Sequence, residues 1–186
     1  MLFYLRTCLI ISLLLINSKA NASPDIKLVL VRSEHKLLVM KHEQVLRTFD
    51  VALGSAGRKA KRRSGDHATP TGIYRIRKIR ESERFHMFIQ LNYPNMKDAK
   101  RALKSRLITR NEYRDIMDAH VQQALPPQNT VLGGAIGFHG IGVETAEKIE
   151  IHQIADWTKG CIALRNNEIE ILSRYVHEGT RVEIRD

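Results

Sequence analysis

From Ile26 onward, apolar and polar positions follow the two-residue period of β-strands. Residues 27–32 (KLVLVR) and 35–41 (HKLLVMK) are rich in aliphatic and β-branched side chains, and the short polar Ser33-Glu34 between them predicts a hairpin. A third strand is expected over residues 45–53, with Val45, Leu46, Phe49, Val51 and Leu53 as its apolar set, ending at Gly54-Ser55-Ala56-Gly57. Thr69-Pro70-Thr71-Gly72 is a turn by its chemistry, since proline fixes φ and glycine reaches conformations other residues resist. It leads into a strand over residues 73–79. Residues 85–91 predict another strand, with Phe85, Met87, Ile89 and Leu91 on one face, His86 on the other, and Asn92-Tyr93-Pro94 as the stop. Short, closely spaced strands of this kind favour antiparallel neighbours.

Between residues 95 and 134 the period changes. Residues 97–107 and 110–125 are charged and helix-favouring, and Thr109 with Glu112 has the spacing of a capping box. Leu107, Ile108, Tyr113, Ile116, Met117, Ala119, His120 and Ala124 make only a partial apolar stripe, so this pair should dock on the surface by one face. Pro126-Pro127 ends it. Because it runs directly into the segment carrying His139, it is a candidate cap over one side of a site. A short helix is expected over residues 145–154. A further helix should be capped by Asn166 or Asn167 and run through His177, with Ile169, Leu172 and Val176 inward and Gly179 as its stop. Residues 181–185 read as a final strand. The class is mainly β with peripheral helices.

Length changes the picture only by setting a limit: 186 residues with 43% hydrophobic content suit one domain around one core. Residues 1–22 read as a signal peptide, with Arg6, an apolar stretch over residues 7–16, and Ala20-Asn21-Ala22 at the cleavage position. That apolar stretch is too short to span a bilayer, so no transmembrane anchor is expected after cleavage and the mature domain begins at Ser23. Removing this leader takes away Cys8 and leaves Cys161 as the one cysteine of an exported, periplasmic chain. A single cysteine cannot form an internal disulfide, so its thiol stays free.

The formal charge of +10 would ordinarily suggest nucleic acid. Export argues against it and favours anionic envelope polymers. Arg58, Lys59, Lys61, Arg62 and Arg63 concentrate this charge in one loop, which is either a solvated loop or a docking patch for a polyanion.

The chemistry-bearing stretch is residues 137–166. A cysteine nucleophile needs a base, a partial positive neighbourhood and backbone that a substrate can approach. His139, Lys159 and Gly160 around Cys161 supply these types. A lone cysteine among apolar residues is more often inert, so residue types alone do not decide. Trp157 either walls such a site or fills core. The histidines lack HExxH spacing and paired cysteines, which argues against a zinc hydrolase, and no metal or organic cofactor is expected. A papain-like protease would place cysteine before histidine.

The pattern His139-Gly140, a gap, then Thr158-Lys159-Gly160-Cys161-Ile162 resembles the signature of the L,D-transpeptidase catalytic domain, the YkuD-type family. Gly54, Gly65-Asp66, the turn at residues 69–74, Asn92-Tyr93-Pro94, Asp156-Trp157 and residues 179–184 look like further landmarks, closest to its YafK-like branch. The resemblance implies a β-sandwich with a helical insertion at about residues 95–130. It also implies a cysteine acyltransferase acting on peptidoglycan stem peptides. Cys161 would be the nucleophile and His139 the base. The N–H groups of Gly160 and Cys161 would hold the oxyanion, with Thr158 and Gly140 shaping the pocket. Ala163 stands where the family often carries arginine, which leaves Arg165 as a nearby substitute for holding a substrate carboxylate; Trp157 and Lys159 are further candidates for substrate contact. The acceptor could be a stem amine, a lipoprotein lysine or water, the last giving a carboxypeptidase or endopeptidase such as those that release wall-linked lipoprotein. A basic wall-binding module without chemistry would explain the charge but not the His-Gly and Thr-Lys-Gly-Cys elements.

Overall fold

The computed structural model describes residues 26–186, so the expected leader, residues 1–22, lies outside the described residues. In chain order the elements are β1 (Ile26–Val31), β2 (Lys36–Lys41), β3 (Gln44–Asp50), β4 (Gly72–Ser82), β5 (His86–Leu91), α1 (Met96–Lys104), α2 (Arg110–Val121), β6 (Gly137–Gly140), α3 (Ala146–Ile154), β7 (Ile162–Leu164), α4 (Asn166–Ser173) and β8 (Arg181–Arg185). The strand order is β3-β2-β1-β8-β4-β5-β6-β7. Neighbours are antiparallel except β1 with β8 and β6 with β7, which are parallel.

The long β4 makes the two-layered arrangement. Its first residues, Gly72 to Arg75, pair with β8, whereas Ile76 to Ser82 pair with β5. One set of strands therefore turns over the other, and their inner faces share a core of Leu28, Leu30, Leu37 and Val39 with Ile89, Leu91, Phe138, Ile162 and Leu164. Ile169 and Leu172 of α4 complete it.

Past β3 the chain leaves β2 and joins the far edge, where Ala52 and Ala163 exchange backbone hydrogen bonds of 3.1 and 2.9 Å. This corrects the expected strand over residues 45–53. Its regular part ends at Asp50, and the pairing with β2 skips Leu46, so Val45 and Leu46 stay largely exposed on an edge strand. The segment that follows is what brings the two edges together beside the thiol.

In the 95–130 region both helices form, each with a capping box: Thr109 with Glu112 on α2, and Asn95 with Asp98 on α1. Ala99, Ala102, Ile108, Ile116 and Leu132 give the pair a small core of its own. Asp98 accepts from Tyr74 Oη at 2.9 Å and Arg101 donates to Lys61 O at 2.9 Å, which pins α1 to the sandwich. Neither helix contributes a hydrogen bond to His139 or Cys161 among the described residues. What reaches the site is the loop after α2.

The last helix differs from expectation at both ends. It stops at Ser173, and neither Asn166 nor Asn167 caps it. The Arg165 N–H is met by Glu168 at 3.0 Å, which frees the Asn166 side chain to bracket Gly142, donating to its carbonyl at 2.6 Å and accepting from its N–H at 3.1 Å. Asn166 is thus a staple for the loop after β6.

Candidate active site

Cys161 enters the site from a turn held by one side chain. Thr158, 3% exposed, donates from Oγ1 to the Cys161 carbonyl at 2.7 Å and accepts the Gly160 N–H at 3.1 Å. The turn needs glycine at its tightest point: Gly160 has φ +120°, and a Cβ there would stand 2.7 Å from Ala68 O. Gly54 backs onto the same turn, because a Cβ on it would meet Gly160 Cα at 3.0 Å and His67 O at 2.1 Å. The expectation that Gly160 N–H serves as an oxyanion donor is corrected by this geometry, since that N–H is already bonded to Thr158. The Cys161 N–H has no acceptor among the described residues and remains open to a substrate carbonyl.

His139 lies on β6, where the register sets it opposite Ala163, two positions beyond Cys161. Alternation along the strand therefore puts imidazole and thiol on the same face, away from Phe138 and Ile162 in the core. Phe85 stacks on the His139 ring with centroids 4.3 Å apart, and Trp157 meets it edge-on at 5.8 Å. Trp157 is held in turn by donation from its Nε1 to His152 at 3.4 Å. The His139 Nδ1 lies 2.8 Å from the Gly140 carbonyl. A carbonyl only accepts, so in the neutral ring Nδ1 carries the proton and Nε2 keeps the lone pair of a base.

Burial pushes the imidazole down to about 4, against the opposing hydrogen bond to Gly140, and His152, Arg84 and Lys148 add to the shift. Burial also pushes the Cys161 thiol up to about 11, outweighing the Gly137 N–H and the Lys61 ammonium that favour thiolate. The resting pair at neutral pH is accordingly uncharged. The thiol donates to Ala135 O, 3.3 Å from Sγ, rather than to the histidine. Ala135 has φ +51° and is held there by its N–H donating to Gln128 Oε1 at 2.7 Å, while Gln128 Nε2 donates to Tyr93 O at 2.9 Å.

Lys159 is exposed and makes no described contact with the thiol. The cation that acts on Cys161 is Lys61, 5% exposed, bonded to Asp66 at 2.8 Å and seated over the Tyr93 ring at 5.7 Å. Burial alone would raise the Asp66 carboxyl, but the N–H groups of Arg63, Arg62 and Ala68 and the Lys61 ammonium hold it at about 2. One of the five loop cations is therefore a buried support for the site. Arg165 is paired with Glu144 at 3.2 Å, so it is not a free carboxylate clamp. Among the described residues no group of three or more His, Cys, Asp or Glu side chains is placed to hold a metal ion.

A family model for the L,D-transpeptidase catalytic domain, YkuD, matches residues 25–184. The chain belongs to this family. Similar solved structures include the L,D-transpeptidase of Xylanimonas cellulosilytica, with 14% identity, TM-score 0.51, and cover of 88% of this chain and 62% of that one. Bd1075 of Bdellovibrio bacteriovorus has 19% identity and TM-score 0.55, covering 89% of this chain and 49% of that one. The helical cell shape determining protein Pgp2 of Campylobacter jejuni has 18% identity and TM-score 0.53, covering 86% and 46%. This chain thus spans about half to three-fifths of the length of those proteins, and the likeness is one of fold. A comparison with curated proteins gives no match.

Five site elements escaped the sequence reading: Phe85, Gln128, Ala135, Lys61 and His152. Phe85 had been placed in the strand core, but β5 starts at His86 and leaves the ring free to cover the imidazole. Only its position at the end of a polar hairpin hinted at this.

Proposed function

We propose that this L,D-transpeptidase-family chain is an exported, periplasmic cysteine acyltransferase that remodels peptidoglycan stem peptides through a thioester on Cys161. The observation that carries the reading is a thiol, its N–H unoccupied, beside the strand position opposite a buried neutral histidine whose free nitrogen is fixed by Gly140. On substrate binding, Cys161 Sγ turns from Ala135 O and attacks the carbonyl of the third stem residue, passing its proton to His139 Nε2. The Cys161 N–H receives the developing oxyanion. The bond to the terminal D-alanine breaks, and its amine leaves with the proton from His139, giving the thioester. An amine of a neighbouring stem, or water, then attacks, loses its proton to His139, and restores the thiol.

Enclosure of the histidine by Phe85 and Trp157 excludes water from the proton transfer and keeps the base neutral. Incubating purified muropeptides with the protein and resolving the products by mass spectrometry tests the reading. Loss of D-alanine with cross-linked products or free tripeptides, absent with Cys161→Ala, supports it and identifies the acceptor as amine or water. Unchanged muropeptides with the wild-type chain would overturn it in favour of a basic wall-binding module.

A further inference from the structure

On the side of the sandwich where α1 begins, β4 carries two arginines that the chemistry at Cys161 does not use. Tyr74 and Ile76 point into the core, at 1% and 0% exposure, so Ile73 and Arg75 face outward. Arg77 then falls where the pairing with β5 shifts between Ile76 and Lys78, which is a β-bulge. Bulges re-aim a side chain and bend the strand. Here the bulge lets Ile79 return to the core and leaves Arg77 as the extra residue.

Arg77 lines a groove of about 670 Å³ with Ile73, Arg75, Met96, Lys97 and His120, and no aspartate or glutamate is among its lining residues. The Arg77 Nε is shielded from solvent and has no hydrogen-bond partner among the described residues. Arg75 is fixed by its Nη1 donating to Gly179 O at 2.9 Å. The first turn of α1 ends at the same groove, through Met96 and Lys97, and such N–H groups have no acceptor within their own helix. Asp98, the acidic residue of that turn, is 2% exposed and committed to Tyr74, Asn95 and Arg101, so it does not neutralise the groove. Ile73 and Met96, each 48% exposed, flank the cations.

We propose that this groove is a second, non-catalytic binding site for a carboxylate-bearing peptide segment. The Arg77, Arg75 and Lys97 cations, with no acidic residue in the lining, and the helix start favour an oxyanion. The size of the groove and its apolar flanks favour a peptide over a lone inorganic ion. If the proposed function holds, the natural occupant is a stem peptide other than the one at the thiol, which would keep the enzyme on a polymer between turnovers.

The test is an NMR titration of the Cys161-alkylated chain with acetyl-Ala-Glu-Ala, its fully amidated neutral analogue, and inorganic phosphate. Expected are saturable shifts at Arg77, Met96 and Lys97 with the acidic peptide alone. Arg77→Gln should weaken them by about tenfold, the loss of one charge-assisted hydrogen bond, and Lys97→Gln should weaken them less. Among the described residues neither side chain has a hydrogen-bond or salt-bridge partner, so both variants should keep the wild-type melting temperature and its turnover of small soluble muropeptides. Absence of saturable shifts, shifts centred on Cys161, equal affinity of Arg77→Gln, or binding of phosphate without the peptide would each overturn the proposal. The titration needs no turnover, so its failure leaves the thioester reading standing, and failure of the thioester leaves the titration interpretable.

Discussion

Thr158 Oγ1 donates to the carbonyl of Cys161 at 2.7 Å and accepts the N–H of Gly160, so one buried hydroxyl sets the backbone on both sides of the Gly160–Cys161 bond. Thr158→Val keeps the shape and removes both bonds. Each is worth about 1 kcal/mol to the fold, so the variant should remain folded with a modestly lower melting temperature. Its kcat/KM should fall by about one to two orders of magnitude, because small misplacement of a reacting atom is costly. Full activity in the valine variant would show that the turn is held by Gly160 and Gly54 alone.

The pH behaviour follows from the enclosed imidazole. With His139 held near 4, neutral base is present throughout the neutral range, so kcat/KM should stay level there and fall as pH drops through about 4. Stability moves in the same direction. Between the ordinary value of 6.5 and about 4, the unfolded chain binds a proton on this residue that the folded chain refuses. The folded state should therefore be fully favoured above 6.5 and lose about 3 kcal/mol from this group as pH falls to 4. Denaturant titrations of wild type and His139→Gln across that window check the slope; equal slopes would count against a buried neutral imidazole. Phe85→Ala opens the ring to water and should raise the His139 pKa towards 6.5, visible in its NMR ring shifts.

The five cations of the 58–63 loop should separate into two groups. Arg58, Lys59, Arg62 and Arg63 are exposed, and neutralising them should weaken sedimentation with isolated wall material and its salt sensitivity with little effect on stability. Lys61 is buried against Asp66 and Tyr93, but Asp66 keeps the N–H groups of Arg62, Arg63 and Ala68, so Lys61→Met should destabilise by only about 1 kcal/mol, the loss of one charge-assisted bond. Sedimentation that is unchanged at low salt after neutralising the four exposed cations would dismiss the docking role.

The sheet was readable because strands such as β1, β2 and β8 carry uninterrupted apolar periodicity, and residues 181–185 form a strand as expected. Cys161 and His139 stood out as candidates through the resemblance of His139-Gly140 and Thr158-Lys159-Gly160-Cys161-Ile162 to a family signature, not through their residue types. What pattern could not show is which side chain meets which across the chain. Lys61 looked like its four neighbours until Asp66 and Tyr93 closed over it. Phe85 has the same period-two position as Met87 yet belongs to the histidine. Asn166 was a plausible helix cap by type, but Gly142 competes for its side chain and wins. The Gly160 N–H was expected to face the substrate, and only the Thr158 rotamer decides otherwise.

On the proposed mechanism Cys161 carries the acyl group. Intact-protein mass spectrometry during incubation with a stem tetrapeptide, stopped in acid to preserve thioesters, measures it directly. The wild type should gain the mass of the donor less D-alanine, and peptide mapping should place it on Cys161. His139→Ala should accumulate the same adduct about two to four orders of magnitude more slowly, the range for losing a general base. Cys161→Ala should gain no mass while keeping the wild-type fold. An equal adduct on the alanine variant, or turnover of the tetrapeptide by that variant, would contradict the account.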